Sequence, residues 1–293
     1  MSETKLTRRD FLRQGAVAAA IGLGACAGVG AAEAKWKMRL SASSIDFSRL
    51  PIEQACERIA QLGFEAIDIW SPHANCPHLD DVQKRLGPQG LKDLLAKTKL
   101  KLYAFSVYQG GYPKYAELLG GAGGGVAIHG APGPCDPKDL AAKMKEFVAS
   151  LKGEIDLAEK HNSYVAIENH GGSLLDAVDS FKAFADSNTS PRLGLALAPY
   201  HLQVLKASVE DAIAAAGKQL FFFYAWQHAD GVGQLPGHGP TDFAPYLAAL
   251  AKIEYKWYVN PFMHGEPAPD EMSKALEKAR DYLKTCYGKA VTE

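Results

Sequence analysis

The sequence has little of what marks the specialised classes of protein. Four of its five cysteines, Cys56, Cys76, Cys135 and Cys286, are too widely spaced for a disulfide framework or a zinc finger. We expect mostly buried or loop thiols, with one optional disulfide. The net charge is −1 and no basic block follows the N-terminal segment, which argues against a nucleic-acid partner. No apolar run reaches the roughly 20 residues of a membrane-spanning helix.

The first 34 residues contain the three parts of a twin-arginine export signal. Arg8 and Arg9 are followed by Phe-Leu and a further basic residue, residues 16–30 form an uncharged stretch, and the Ala-Glu-Ala of residues 32–34 supplies a cleavage site. We expect residues 1–34 to be the signal peptide and residues 35–293 the mature protein. A second interpretation is a lipoprotein, because residues 23–26 resemble a lipobox ending at Cys26.

This N-terminal pattern predicts a periplasmic or otherwise exported protein. Its partners would include the twin-arginine translocase during export, and the membrane only if Cys26 is lipidated. Because this pathway carries proteins that are already folded, often with a cofactor inserted, a cofactor site is worth looking for.

Eight short apolar runs alternate with segments of helical period in the mature part. Near-continuous apolar runs are typical of parallel strands buried on both faces. No run leads into a Gly-x-Gly-x-x-Gly turn, which disfavours a dinucleotide-binding sheet. The pattern and the length predict one domain with a (β/α)₈ TIM barrel fold of the α/β class. The predicted strands are residues 38–43, 66–70, 100–105, 125–129, 164–168, 193–198, 220–226 and 257–262.

Helix signals lie between these runs. Pro51 opens a helix that Gly63 closes, and Asp136 caps a helix predicted to run to residue 158. Asp242 opens a further helix, and residues 272–283 mark the last one.

Ligand-type side chains are concentrated where the predicted strands end. In a TIM barrel these ends and the loops after them form the active face. Imidazole suits proton transfer near neutral pH and borderline metals, and carboxylate suits a base or a metal ligand. Trp70 and Trp226 end their strands beside polar residues and are either a platform for a sugar ring or core packing. The strand-end residues are Trp70, His129, Glu168, His170, His201, Trp226, Gln227, His228, Asn260, His264 and Glu266.

Four segments, residues 62–70, 165–170, 194–202 and 261–262, resemble in order and spacing the xylose-isomerase-like barrels, the sugar phosphate isomerase/epimerase group related to the endonuclease IV fold. The resemblance implies a divalent metal held by Glu, Asp, His and Glu after strands five to eight. Carried over, these positions fall on Glu168, Ala198, Phe223 or Tyr224 (Gln227 or His228 if the strand end is shifted) and Asn260.

Three interpretations of the site stay open. In the first, a metal (manganese, zinc, cobalt or iron) is held by a rearranged set drawn from Glu168, His201, His228, His264 and Glu266. The preferred ligands in that set are Glu168, His201, His228 and Glu266. Alternatively the site works without metal, or the barrel has become a sugar-binding protein without catalysis.

The resemblance implies abstraction of a proton next to a carbonyl, with an isomerase, epimerase or lyase outcome. We expect an exported enzyme acting on a keto-sugar or an oxidised glycoside, with Glu168 as base and His201 and His228 as orienting or electrophilic groups. The alternative is a non-catalytic carbohydrate-binding barrel with a degraded metal site. The expected substrate-binding residues are Trp70, His129, His170, Trp226, Gln227, Asn260 and His264.

Overall fold

The computed structural model describes residues 36–291 and contains a closed barrel of eight parallel strands. Each strand pairs with its neighbours in sequence, and β1 closes the barrel against β8 through Arg39 beside Tyr258. The predicted TIM barrel is therefore confirmed. The strands are β1 Arg39–Ser43, β2 Ala66–Trp70, β3 Lys101–Ser106, β4 Val126–Gly130, β5 Tyr164–Glu168, β6 Leu193–Leu197, β7 Leu220–Ala225 and β8 Tyr258–Pro261.

The strand predictions were accurate to within one residue at each end. The predictions that match at both ends are β2 and β5, both of which are bounded by polar or turn-forming residues. Length and flanking residues identify these runs as strands rather than buried helices.

The helices surround the barrel. Their bounds are α1 Ile52–Gln61, α2 His78–Asp81, α3 Gly87–Thr98, α4 Gly111–Gly121, α5 Leu140–Ser150, α6 Lys152–Lys160, α7 Val178–Ser187, α8 Pro199–Val204, α9 Val209–Ala216, α10 Ala244–Lys252 and α11 Pro269–Ala290. Within residues 36–291, none of them combines the length and the apolar character that crossing a membrane requires.

One helix prediction was wrong in its extent. The segment 136–158 is a short turn, Pro137–Asp139, followed by α5 and α6, which Leu151 separates. Asp136 does cap the turn, since its carboxylate accepts from the backbone N–H of Lys138 at 3.1 Å. The residues predicted to bound α1 were right, because Pro51 precedes the helix and Gly63 follows it with a φ of +79°.

Alternate residues of each strand face the barrel interior and the helix layer. On β5, Ala166 lies in the interior cluster, whereas Val165 and Ile167 pack toward the helices. Glu168, two residues after Ala166, therefore shares the inner face. Lower in the interior, Tyr103 stacks on Phe222 with ring centroids 4.7 Å apart and fills the barrel below the carboxyl ends of the strands.

We predict that Gly194→Ala destabilises the barrel. A Cβ at this position of β6 would lie 2.5 Å from the carbonyl oxygen of Gln219 and 2.5 Å from Cδ2 of Phe221, so the strand must move. Overpacking of this kind costs about 1–3 kcal/mol in the free energy of unfolding, measured by denaturant titration.

The matched control is Gly153→Ala in α6, where a Cβ would meet nothing within 4 Å. It should be neutral or stabilising by about 0.5–1 kcal/mol, because alanine favours a helix over glycine. Equal effects of the two substitutions would contradict the steric explanation.

Candidate active site

Glu168 is the carboxylate at the carboxyl end of β5. It is 8% exposed, and its Oε2 accepts a hydrogen bond from the Tyr108 hydroxyl at 2.6 Å. Burial raises the pKa of Glu168 to about 7; the Tyr108 hydrogen bond opposes this shift, and the charge of Asp68 adds to it. Oε1 accepts no hydrogen bond from residues 36–291, so it is the oxygen free to take a proton.

Asp68 is a second carboxylate inside the barrel, on β2, and it is completely buried. It accepts from the hydroxyls of Ser43 and Ser106, each at 2.9 Å, and from Nε1 of Trp70 at 2.6 Å. Burial raises its pKa to about 6, against the lowering effect of these donors. The two interior carboxyls therefore titrate in the range where enzymes use acids and bases.

Three hydroxyls join the two carboxyls. The Tyr108 hydroxyl, which donates to Glu168, lies 3.1 Å from the Tyr224 hydroxyl, and that hydroxyl lies 3.3 Å from Oγ of Ser106. Ser106 in turn donates to Asp68. We call Tyr108, Tyr224 and Ser106 the hydroxyl chain. It runs from β5 to β2 without a gap.

Aromatic rings and imidazoles form a continuous group at the mouth of the barrel, by which we mean the end where the carboxyl ends of the strands lie. Trp70 stacks on Phe262 with centroids 5.2 Å apart, and Trp226 stacks on Tyr200 at 4.3 Å. His201 lies 4.0 Å from His170 and 5.1 Å from Trp226, while His264 contacts both tryptophans. The mouth cluster comprises Trp70, His73, Tyr108, His170, Tyr200, His201, Trp226, Phe262 and His264.

The two tryptophans lie in this cluster, but as packed side chains. Trp70 is 2% exposed and Trp226 is 5% exposed, and one face of each ring is covered by its stacking partner. Nε1 of Trp226 donates to Gln234 at 2.8 Å. Packing therefore accounts for both tryptophans, and Tyr200 is the half-buried ring of the stacked pair.

His201 is held as a neutral imidazole. Burial lowers its pKa to about 3, and the neighbouring His170 and His264 lower it further. At neutral pH it can donate an N–H to an oxygen without carrying a charge. That is the property of a neutral electrophilic group beside a carbonyl.

Besides Glu168, Asn260 and Glu266, three predicted site residues lie outside the mouth cluster. His129 is on the outer face of β4, where Nε2 lies 3.0 Å from Glu154 of α6, so its expected place at the mouth is corrected. Gln227 is buried and braces the following loop through Leu235 and Thr241. His228 is exposed at the rim, with its ring edge against Tyr200 at 5.2 Å.

Asn260 is buried at the end of β8. Its Nδ2 donates to Oγ of Ser43 at 2.8 Å, and its Oδ1 has no hydrogen-bond partner among the described residues. Through Ser43 it supports the donor set of Asp68. Asn260 is thus a structural neighbour of the second carboxyl.

Glu266 lies near a third buried carboxyl, that of Asp46 in the turn after β1. Asp46 is 1% exposed, and neither of its oxygens has a hydrogen-bond partner in residues 36–291. Burial raises its pKa well above the ordinary value, and the charges of Glu266 and Asp68 add to the shift. Oε1 of Glu266 is 3.8 Å from Nδ1 of His264, beyond hydrogen-bond distance.

Sequence reasoning missed the most connected part of the site. Asp68 was passed over as part of a strand, although a charged residue inside an otherwise apolar run is a usable signal. Tyr224 was considered only as the position of a lost ligand. Nothing in the sequence shows that its hydroxyl meets that of Tyr108, because the two tyrosines are 116 residues apart.

Comparison with known proteins identifies the family. The model of the xylose isomerase-like TIM barrel family matches residues 56–286. The chain belongs to this family. No curated protein matches it.

Solved structures with the same barrel include sugar epimerases. The 3-keto-D-glucoside 4-epimerase from E. coli is 16% identical, with a TM-score of 0.63, over 84% of this chain and 100% of that one. A D-psicose 3-epimerase in the presence of D-fructose is 16% identical, with a TM-score of 0.66, over 86% and 100%. The IOLI protein with a bound zinc atom is 15% identical, with a TM-score of 0.67, over 87% and 100%. At this identity the likeness shows the fold alone.

The donor set of this xylose isomerase-like barrel does not fit the metal that the resemblance implies. Of the four expected positions only Glu168 is a carboxylate. The others hold Ala198, Phe223 or Tyr224, and Asn260, and of the pair on β7 it is Tyr224 that lies in the barrel interior. Within residues 36–291 no three His, Cys, Asp or Glu side chains converge as metal ligands. The rearranged set of Glu168, His201, His228 and Glu266 is therefore not assembled: Tyr108 holds one oxygen of Glu168, His228 lies at the rim, and Glu266 lies beside Asp46.

We predict that Glu168→Gln stabilises the protein more at pH 8 than at pH 4.5. The folded pKa of about 7 lies above the ordinary 4.5, so folding favours the protonated form. The stability that the protonated Glu168 carboxyl contributes is complete below pH 4.5, and it is lost as the pH rises through about 7. The difference in unfolding free energy between the two pH values should be on the order of 3 kcal/mol, measured by denaturant titration. The same change at both pH values would show that Glu168 titrates normally.

Proposed function

We propose that this barrel is a sugar isomerase/epimerase-type enzyme that abstracts a proton next to a carbonyl, with Glu168 as the base. The observation that carries the proposal is the state of this carboxyl. It lies at the active face of the barrel with one oxygen held by Tyr108 and the other free, and its pKa is about 7. A base works best when its pKa lies near the operating pH.

In the first step Oε1 of Glu168 takes the proton from the carbon beside the carbonyl. The electrons of the C–H bond form a C=C bond, and the carbonyl electrons move to its oxygen. His201, neutral and next to His170, is the donor proposed to hydrogen-bond to that oxygen. Return of the proton to the other face gives an epimer, return after transfer to the neighbouring atom gives an isomer, and loss of a leaving group gives a lyase product.

The proposed substrate is a keto-sugar or an oxidised glycoside. Two proteins of the same fold bear the names of sugar epimerases, and the name of one places a keto group beside the epimerised carbon. The mouth cluster supports this class, because it offers ring surface at Tyr200 and imidazole donors at His170, His201 and His264. His228 at the rim is proposed to orient the outer end of the sugar.

A carbohydrate-binding barrel without catalysis is the second candidate. The observation that favours it is the replacement of three of the four expected metal ligands, by Ala198, by Phe223 or Tyr224, and by Asn260. A binding protein would keep the mouth cluster and would not need Glu168 near neutrality.

We also propose that the chain is exported by the twin-arginine pathway as an unanchored protein, with lipidation at Cys26 as the minor alternative. The support is the sequence pattern of residues 1–34, which lie outside the described residues.

We predict that Glu168→Gln slows proton abstraction and keeps sugar binding. In D₂O the wild type should place deuterium on the carbon next to the carbonyl of its substrate within a panel of keto-sugars and 3-keto-glycosides. The substitution removes the base and should reduce that rate by about 10²–10⁴-fold, followed by NMR.

The matched control is Glu159→Gln, the same chemical change at an exposed carboxylate that pairs with Arg192. It should keep the wild-type exchange rate. Binding of a panel sugar by the wild type without any deuterium incorporation would instead establish the carbohydrate-binding alternative.

Export gives a separate prediction. Replacing both Arg8 and Arg9 by Lys should keep the protein in the cytoplasm, because the paired arginines are the recognised element of the signal. Cell fractionation and immunoblotting measure the distribution. Unchanged export of the double variant would argue against this pathway, and metabolic labelling with a fatty acid would detect lipidation at Cys26.

A further inference from the structure

The interior of the barrel holds two buried carboxyls, Glu168 and Asp68, without a cationic partner. None of the ion pairs formed by residues 36–291 includes either of them. Each accepts hydrogen bonds from neutral donors only. Two buried carboxylates that interact are more stable with one proton than with none.

The hydroxyl chain connects the two carboxyls through groups that both accept and donate. A hydroxyl can take a proton on its oxygen and release its own hydrogen to the next acceptor. The successive oxygen–oxygen distances from Glu168 to Asp68 are 2.6, 3.1, 3.3 and 2.9 Å. Each lies within hydrogen-bond distance, so no link of the chain is missing.

We propose that Asp68 is a proton-relay residue that exchanges a proton with Glu168 through the hydroxyl chain. This inference deepens the proposed function and rests on the role given there to Glu168. Asp68 is fully buried, whereas Glu168 is 8% exposed and its Oε1 accepts no hydrogen bond from residues 36–291. The first carboxyl therefore meets substrate, and the second stores the proton.

The transfer balances without any further reactant. Glu168 protonated at Oε1 rotates its carboxyl group about the Cγ–Cδ bond, so that the O–H faces Tyr108 in place of Oε2. It then gives its hydrogen to the oxygen of Tyr108, and the Tyr108 hydrogen, turned away from Glu168, passes to Tyr224. The Tyr224 hydrogen passes to Ser106, and the Ser106 hydrogen passes to Asp68. Four O–H bonds break and four form, Glu168 becomes the carboxylate, and Asp68 becomes the acid. The three hydroxyls end neutral, each with its hydrogen turned toward Glu168.

The surroundings of the pair are acidic or neutral. Asp68 faces Asp46 from the turn after β1, the thiol of Cys76, and the phenol of Tyr103 from β3. Within residues 36–291, the titratable groups that interact with Glu168 are Asp68 and the phenols of Tyr108 and Tyr224. Both phenols have a pKa well above the ordinary value because of burial and the nearby carboxylates, so they conduct protons without becoming phenolates.

Tyr224 is the position that tests the relay. Its hydroxyl contacts the other two members of the hydroxyl chain and neither carboxyl. Tyr224→Phe therefore interrupts the chain and leaves the hydrogen bonds of Tyr108 to Glu168 and of Ser106 to Asp68 in place. Tyr103→Phe is the matched control, since it removes a buried interior hydroxyl that bonds to Phe221 and Tyr255.

The experiment is rapid infrared spectroscopy of the full mature protein after a jump from about pH 8 to about pH 5, which protonates both groups. The C=O bands of the two acids are assigned by their loss in Glu168→Gln and in Asp68→Asn. In the wild type and in Tyr103→Phe we expect both bands to appear together. In Tyr224→Phe the Glu168 band should keep its rate, and the Asp68 band should appear at least about tenfold more slowly.

An Asp68 band that keeps its wild-type rate in Tyr224→Phe would overturn the relay, as would the absence of a titrating Asp68 band in the wild type. If Tyr224→Phe does not fold, Tyr108→Phe interrupts the chain at its other end and should slow the Asp68 band equally. No sugar is used, so a failure of the relay is distinguishable from a failure of the proposed function, which the deuterium exchange measures.

Discussion

The burial of two carboxyls in the interior of one barrel is the constraint on which the rest of the site depends. An ionised carboxylate in an apolar interior is costly unless hydrogen bonds compensate for the lost water. Here the compensation comes from Ser43, Ser106 and Trp70 around Asp68, and from Tyr108 at Glu168. The donors come from β1, β2 and β3 and from the loop after β3, so several strands must keep their register for the carboxyls to be tolerated. The incomplete compensation leaves both pKa values near neutrality, which is the condition for acid–base work.

The packing of aromatic rings determines which side chains of the mouth cluster are exposed. Phe262 lies between the two tryptophans and touches both, and this arrangement leaves Tyr200, His170 and His264 among the more exposed rings of the cluster. His201 stays uncharged because it is buried beside other imidazoles. A neutral donor at the mouth suits a carbonyl substrate, since it can hydrogen-bond to the oxygen without adding a charge.

Sequence patterning predicted the barrel well and the site in part. The strands were found because a short, continuous apolar run between turn signals is typical of a buried strand, and Glu168 followed from its place at a strand end. The same logic failed for His129, because a strand that is apolar on both faces does not reveal which parity points inward. Asp68 was visible as a charge in an apolar run, but its partners lie on other strands, and side chains that meet only through the closed sheet leave no local signal. The split at Leu151 was missed because the apolar stripe continues across it.

The bond between Asn260 and Ser43 joins the last strand to the first. Ser43 is also a donor to Asp68, so the shell of that carboxyl is fully ordered only when β8 has docked. A nascent chain from which β8 has not yet emerged holds Asp68 with an incomplete set of partners. Completion of the polar interior and closure of the barrel are therefore the same folding event.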